Sequence, residues 1–145
     1  MKVGTAMTKD VRIASPSQSI RDAARTMAEL DVGSLPVGEN DRLVGMITDR
    51  DIAVRAVALD LDPDTPVRKV MSAEVKYCFE DEEVDEVAEN MGEIKVRRLP
   101  VLDRKKRLVG IVSLGDVARA DDGSAGLAIR EISEPGGEHS QSLHA

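Results

Sequence analysis

Apolar and polar residues alternate along this chain with two periods, and the same succession of periods occurs twice. In SQSIRDAARTMAEL (17–30) the apolar positions 20, 23, 24, 27, 28 and 30 recur at helical steps, which predicts an amphipathic helix. Ser19 or Ser17 stands where a side-chain oxygen can cap its first turn. LPVGENDRLVGMIT (35–48) sets two short apolar runs around a polar turn and predicts a hairpin, and RDIAVRAVAL (50–59) predicts a second helix. VDEVAENMGEI (84–94) repeats the first helix, with Glu80–Glu83 read as an acidic first turn suited to the helix dipole. A second pair of apolar runs comes next, and GDVARA (115–120) repeats the second helix. A short apolar segment before each first helix, VRIA (11–14) and VKYCF (75–79), predicts a further strand.

The two halves align position by position. Met7 pairs with Met71, Val11 with Val75, Ile20 with Val84, Ala24 with Ala88, Met27 with Met91, Val32 with Val96 and LPV with LPV, all 64 residues apart. From Gly45 and Gly110 to Asp51 and Asp116 the offset is 65. The extra residue falls where GENDR faces LDRKKR, a polar turn of the kind that accepts insertions. Because the matched positions are mainly apolar, both halves are expected to build the same core, as a duplicated supersecondary unit. The expected fold is α+β, two tandem β-α-β-β-α repeats over 1–62 and 63–122. PDTPVRKVMS (63–72) links them, with Pro63 and Pro66 breaking the preceding helix. In the extension 123–145, AGLAIREIS (125–133) is expected to form a short helix docking on the repeats or on a partner chain. Disorder is expected beyond Pro135.

Composition narrows the function. With 41% apolar and 32% charged residues the 145-residue chain reads as globular, and its single Tyr and single Phe leave core filling to aliphatic side chains. No apolar run is long enough to cross a bilayer and MKVGTAMTKDVRIAS lacks a secretory apolar region, so cytoplasmic residence and no membrane partner are expected. A net charge of −7 without a basic tract argues against nucleic acid as a partner. Cys78, the single cysteine, can form neither an internal disulfide nor a multi-cysteine zinc site, and is expected to be a small core residue. The two histidines, His139 and His144, lie in the Gly-rich tail. No His-based triad and no HExxH, CxxC, DxDxDG or phosphate-cradling GxxxxGK(S/T) motif is present. The chain is therefore expected to be no enzyme, with no metal and no catalytic cofactor.

The chemistry that remains lies in GMITDRD and GIVSLGD. Gly45 and Gly110 interrupt a strand, where a missing side chain admits a close neighbour. Thr48 and Ser113 end the strand, and Asp51 and Asp116 come three residues later in the first turn of the next helix. A hydroxyl, a carboxylate and free helix amides at one junction can hold a vicinal diol and make a plausible ribose site. The same spacing also serves as a helix capping box, and duplication copies caps as readily as sites.

LPV followed by LVG(M/I)(I/V)(T/S)xxD, twice over residues 3–120, resembles the cystathionine β-synthase (CBS) domain, and the two copies look like a Bateman module. The resemblance implies repeats packed through their sheets with pseudo-twofold symmetry, and clefts between them for adenosine-containing ligands. It implies that Thr48, Asp51, Ser113 and Asp116 hold the ribose. Leu35, Pro36, Ile47, Leu99, Pro100 and Val112 would wall the base, with Ile13 and Tyr77 lining it. Arg97 and Arg98, in KVRRLPV, would meet phosphate, where an arginine fork suits the oxygens; a solvated edge is the alternative. In the first copy Gly33 and Ser34 replace these arginines, so Arg50 or Arg55, or an arginine of the other copy, would have to supply the charge. The two clefts are thus expected to be unequal. The resemblance implies a stand-alone regulatory protein that senses an adenine nucleotide, forms a homodimer through its helices and relays the signal to an unidentified partner. The alternative is an interaction module with empty clefts.

Overall fold

The computed structural model describes residues 1–120 and 122–133. The elements run α1 (Val3–Ala6), α2 (Ile20–Leu30), β1 (Ser34–Glu39), β2 (Arg42–Thr48), α3 (Asp49–Arg55), β3 (Cys78–Phe79), α4 (Val84–Ile94), β4 (Arg98–Leu102), β5 (Leu108–Ser113), α5 (Leu114–Ala120) and α6 (Asp122–Ser133), a mixed fold of two tandem repeats. The disorder expected beyond Pro135 lies outside the described residues. No helix among the described residues is long and apolar enough to cross a membrane.

The chain divides into two compact units, neither of them contiguous in sequence. Among the described residues one unit is 11–76 with 106–108, and the other is 1–10, 77–105, 109–120 and 122–133. The cause is a reciprocal exchange of short segments. Thr8 and Ile111 exchange backbone hydrogen bonds at 2.8 and 3.0 Å, while Met46 and Ser72 do the same at 2.9 Å each way. The residues that open each repeat in sequence therefore extend the strand that closes the other. Segment 63–72 is accordingly part of a unit as well as a link, with Val67 and Val70 fully buried in the first unit's core.

Gly45 and Gly110 make this exchange possible. A Cβ on Gly45 would lie 2.6 Å from Met71 Sδ and 2.8 Å from the Ser72 carbonyl oxygen; on Gly110 it would lie 2.6 Å from Met7 Sδ and 2.7 Å from the Thr8 carbonyl oxygen. The close neighbour that a strand glycine foretells is thus a backbone segment of the chain itself.

Within the first unit, β1 and β2 pair antiparallel around Asn40 and Asp41, both at positive φ as a tight hairpin turn requires. The segment VRIA contributes a single parallel bridge, Ala14 to Val37, rather than a strand. Its counterpart in the second unit is β3, where Cys78 and Phe79 pair parallel with Val101 and Leu102 of β4, and β5 lies on the other side of β4. The first unit's core gathers Ile20, Ala23 and Met27 of α2 against Leu35, Val37 and Ile47; the second gathers Val84, Val87, Ala88 and Met91 of α4 against Leu99, Val101 and Val112.

The helix ends depart from expectation in two places. Ser19 Oγ accepts from Asp22 N and caps α2, but Glu80–Glu83 precede α4 instead of forming its first turn, and Glu83 makes no side-chain cap. Glu83 instead binds Lys2 Nζ at 2.7 Å, which holds its carboxyl below the ordinary carboxylate range. The helix expected over 50–59 stops at Arg55, because Ala56 turns away at φ −124°, ψ −67°, and Val57–Leu59 form a separate 3-10 turn. Cys78 is a core residue, and burial pushes its thiol up to about 12.

Candidate nucleotide site

In each unit a strand runs into a helix through a closed capping box. Asp51 N donates to Thr48 Oγ1 at 2.9 Å and Thr48 N donates to Asp51 Oδ2 at 3.0 Å. Asp116 N donates to Ser113 Oγ at 3.2 Å and Ser113 N donates to Asp116 Oδ2 at 2.9 Å. Sequence spacing leaves cap and ribose site as alternatives; the geometry closes the cap and leaves Oδ1 of each aspartate to face other groups. In the first unit Arg55 stands 3.9 Å from that oxygen. In the second, Arg119 hydrogen-bonds to it directly, and the carboxylate is 5% exposed.

A second symmetric contact ties the residue two positions before each LPV to its junction. Asp49 N donates to the Gly33 carbonyl at 2.9 Å, and Leu114 N donates to the Arg97 carbonyl at 3.0 Å. Arg97 is thereby held beside Ser113 and Asp116, and Arg98 comes next as the exposed first residue of β4. The first unit reverses the charge at this place. A Cβ on Gly33 would lie 3.1 Å from Asp49 Oδ2, so an acid occupies the space where the second unit has an arginine. Sequence reasoning misses Asp49; the available signal is that its counterpart 65 positions on, Leu114, is uncharged. Arg50 is exposed at the start of α3.

The residues assigned to a base pocket separate into two groups. Leu35 and Leu99 are 2% and 1% exposed and Ile47 and Val112 are fully buried, so their side chains belong to the two cores. Pro36 and Pro100 are buried as well. Only Ile13 and Tyr77 present open surface, and the Tyr77 ring already meets the edge of Phe79 at 5.6 Å between centroids. Phe79 in turn carries the Arg104 guanidinium 4.1 Å above its face. Arg97 also lines a hollow of about 250 Å³ with Leu114 and with Ile129, Ile132 and Ser133 of α6. No group of three His, Cys, Asp or Glu side chains placed to hold a metal occurs among the described residues.

Comparison with known proteins gives this geometry a family. The family model for the CBS domain matches residues 3–57 and again 67–123. The CBS domain-containing protein YhcV of Bacillus subtilis is 43% identical over 129 residues, covering 88% of this chain and 91% of its own length. Among solved structures, Hypoxic Response Protein I with two coordinated zinc ions superposes with a TM-score of 0.74 at 36% identity, over 82% of this chain and 98% of that one. CBSX2 in complex with AMP superposes with a TM-score of 0.73 at 28% identity, over 84% and 96% of the two chains. Two matches to one family model, a common fold and a duplicated strand–helix junction agree: this chain belongs to the CBS-domain proteins, as a tandem pair.

Proposed function

We propose that this chain is a regulatory binding protein, not an enzyme, that takes up an adenosine-containing ligand such as AMP, ADP, ATP or a related molecule and relays its presence to a partner. The supporting observation is the Ser113–Asp116 junction with Arg97 tethered beside it, in a pair similar to CBSX2, whose structure is in complex with AMP. In this reading the exposed Arg119 side chain gives up Asp116 Oδ1, which then accepts from the ribose diol, while Arg97 or Arg98 meets phosphate and Tyr77 lies along the base. The Thr48–Asp51 junction offers the same diol acceptor, with Arg50 next to Asp51 in sequence and Ile13 as the counterpart of Tyr77. Asp49, however, places negative charge where phosphate would come, so phosphorylated ligands favour the second junction.

A second reading is favoured by the closure of both capping boxes: an interaction module in which the aspartates only cap helices. Thermal unfolding with AMP separates the two. A ligand at 100 times its Kd stabilises by about 2.7 kcal/mol. The nucleotide reading expects a shift that Asp116→Ala abolishes, Arg97→Ala weakens and Asp51→Ala largely keeps. No shift with AMP, ADP, ATP or adenosine, in folded protein freed of bound nucleotide, decides for the interaction module.

A further inference from the structure

Arg97, a side chain placed to meet a phosphate, is also the side chain beside which α6 ends. The C-terminal part of α6 brings Ile129, Ile132 and Ser133 to the hollow of about 250 Å³ that Arg97 and Leu114 complete. Leu114 joins this hollow to the capping box, since it follows Ser113 directly and its N donates to the Arg97 carbonyl at 3.0 Å. Arg97 forms no ion pair among the described residues. Its neighbours in the hollow are aliphatic side chains and the end of a helix, where carbonyls without an amide partner carry partial negative charge. Arg130 of the same turn is exposed and does not line the hollow.

Helix α6 is held lightly. It packs along α4 and α5, yet among its described side chains only Ala128 is buried, where a Cβ on Gly92 of α4 would come within 3.3 Å of the Ala128 Cα. Lys95 Nζ donates to the Glu131 carbonyl at 2.9 Å and adds a second fastening. Leu127 and Ile129 are exposed. With Gly123 and Gly126 among its 12 residues, α6 has little helical stability of its own and keeps its shape by docking.

Given the nucleotide reading proposed for this chain, on which this inference rests, we infer that α6 is a latch over the second junction, displaced by a ligand that carries a phosphate and left in place by one that does not. A phosphate drawn to Arg97 arrives among apolar side chains that strip it of water and beside the negative end of a helix dipole. Both costs end when α6 leaves. A ribose held at Asp116 alone meets neither. Departure of α6 uncovers Gly92 on α4 and frees Ala128, so the bound state gains a surface and a loose segment that the unbound state lacks. That difference is what a partner can read.

Hydrogen exchange of the full chain, followed by mass spectrometry over 122–133 with AMP or adenosine, tests the latch, and calorimetry measures the binding of each ligand alongside. Bound AMP should speed exchange across α6 by about tenfold or more, while bound adenosine should change it by less than about twofold. Coupling is reciprocal, so loosening α6 should favour AMP. Ala128→Gln, too large for the contact with Gly92, should bind AMP about tenfold more tightly and adenosine within about twofold of the native chain, with cooperative thermal unfolding confirming the fold. Lys95→Asn removes the other fastening at a left-handed position that Asn tolerates, and should tighten AMP by about threefold. AMP that binds while exchange in α6 is unchanged or slowed overturns the latch and leaves the nucleotide reading standing; slowed exchange would mark a lid that closes on the ligand. An Ala128→Gln chain with unchanged or weaker AMP binding overturns it too, as does adenosine that speeds α6 exchange as much as AMP. A folded chain that binds neither ligand overturns both the latch and the nucleotide reading.

Discussion

The two repeats share their letters at the core and at the strand–helix junction, and they differ in almost everything that touches their surfaces. Both junctions close the same capping box, and both strand glycines receive a methionine–hydroxyl segment at the same distance. Around that shared frame, Asp116 is covered and bonded to Arg119 where Asp51 is 19% exposed and 3.9 Å from Arg55. Arg97 stands where Asp49 presses on Gly33, and α4 lies under α6 where no described helix is laid over the exposed Ala24 and Ala28 of α2 in the same way. Duplication preserves what the backbone needs, because a changed core or a lost strand glycine costs stability in either copy. It leaves free what a ligand or a neighbour would touch, and that is where two copies can acquire different tasks.

The difference in helix cover should produce the largest measurable contrast. Met91 is fully buried, and Met27 is 6% exposed on α2, where Ala24 and Ala28 are exposed. Met91→Ala should destabilise by about 4 kcal/mol and Met27→Ala by about 2 kcal/mol in urea unfolding; equal losses would show that α6 adds nothing to the packing under α4. Gly45→Ala and Gly110→Ala should each cost about 2 kcal/mol, since the added methyl meets a backbone oxygen as well as a movable methionine. Here the copies should agree, and a twofold disagreement would break the symmetry of the exchange. Asp116→Ala should cost about 2 kcal/mol and Asp51→Ala about 1 kcal/mol, both losing a box but the former also removing a carboxylate that is 5% exposed and bonded to Arg119.

The smallest contrast is in acid. The second repeat enters α4 through carboxylates, the first enters α2 through the neutral Ser19. The Arg104 guanidinium holds the Asp81 carboxyl below its ordinary value, as Lys2 holds Glu83. A lowered carboxyl stabilises the fold above the ordinary carboxylate range, and that contribution disappears as pH falls through the lowered value. Amide exchange should therefore accelerate at the start of α4 before it does at the start of α2 on acidification. Both pairs are exposed, so the effect should be modest; simultaneous loosening would assign no role to the two pairs.

The sequence made much of this legible. Helical periodicity located α2 and α4, apolar pairs around polar turns located β1 with β2 and β4 with β5, and internal repetition placed Thr48–Asp51 and Ser113–Asp116 at equivalent junctions. Periodicity failed where a neighbour, not a local pattern, sets the structure. VRIA and VKYCF have similar letters, yet one contributes a single bridge and the other a two-residue strand. Glu80–Glu83 resembles a helix turn because acids favour one, but Lys2 draws Glu83 outward. The resemblance casts Leu35, Ile47, Leu99 and Val112 as walls of a base pocket, and in the structure all four are buried within the two cores. Asp49 is silent in the sequence because nothing local reveals that it lies against Gly33.

The sequence alone determined the repeat, its elements and the capping chemistry at each junction, because these depend on residues within a few positions of one another. Tertiary structure decided that the opening segment of each repeat joins the other unit, that Asp116 is masked by Arg119 and that α6 lies over α4. Each of these joins residues by fit and exclusion of water, and such contacts leave no periodic trace along the chain.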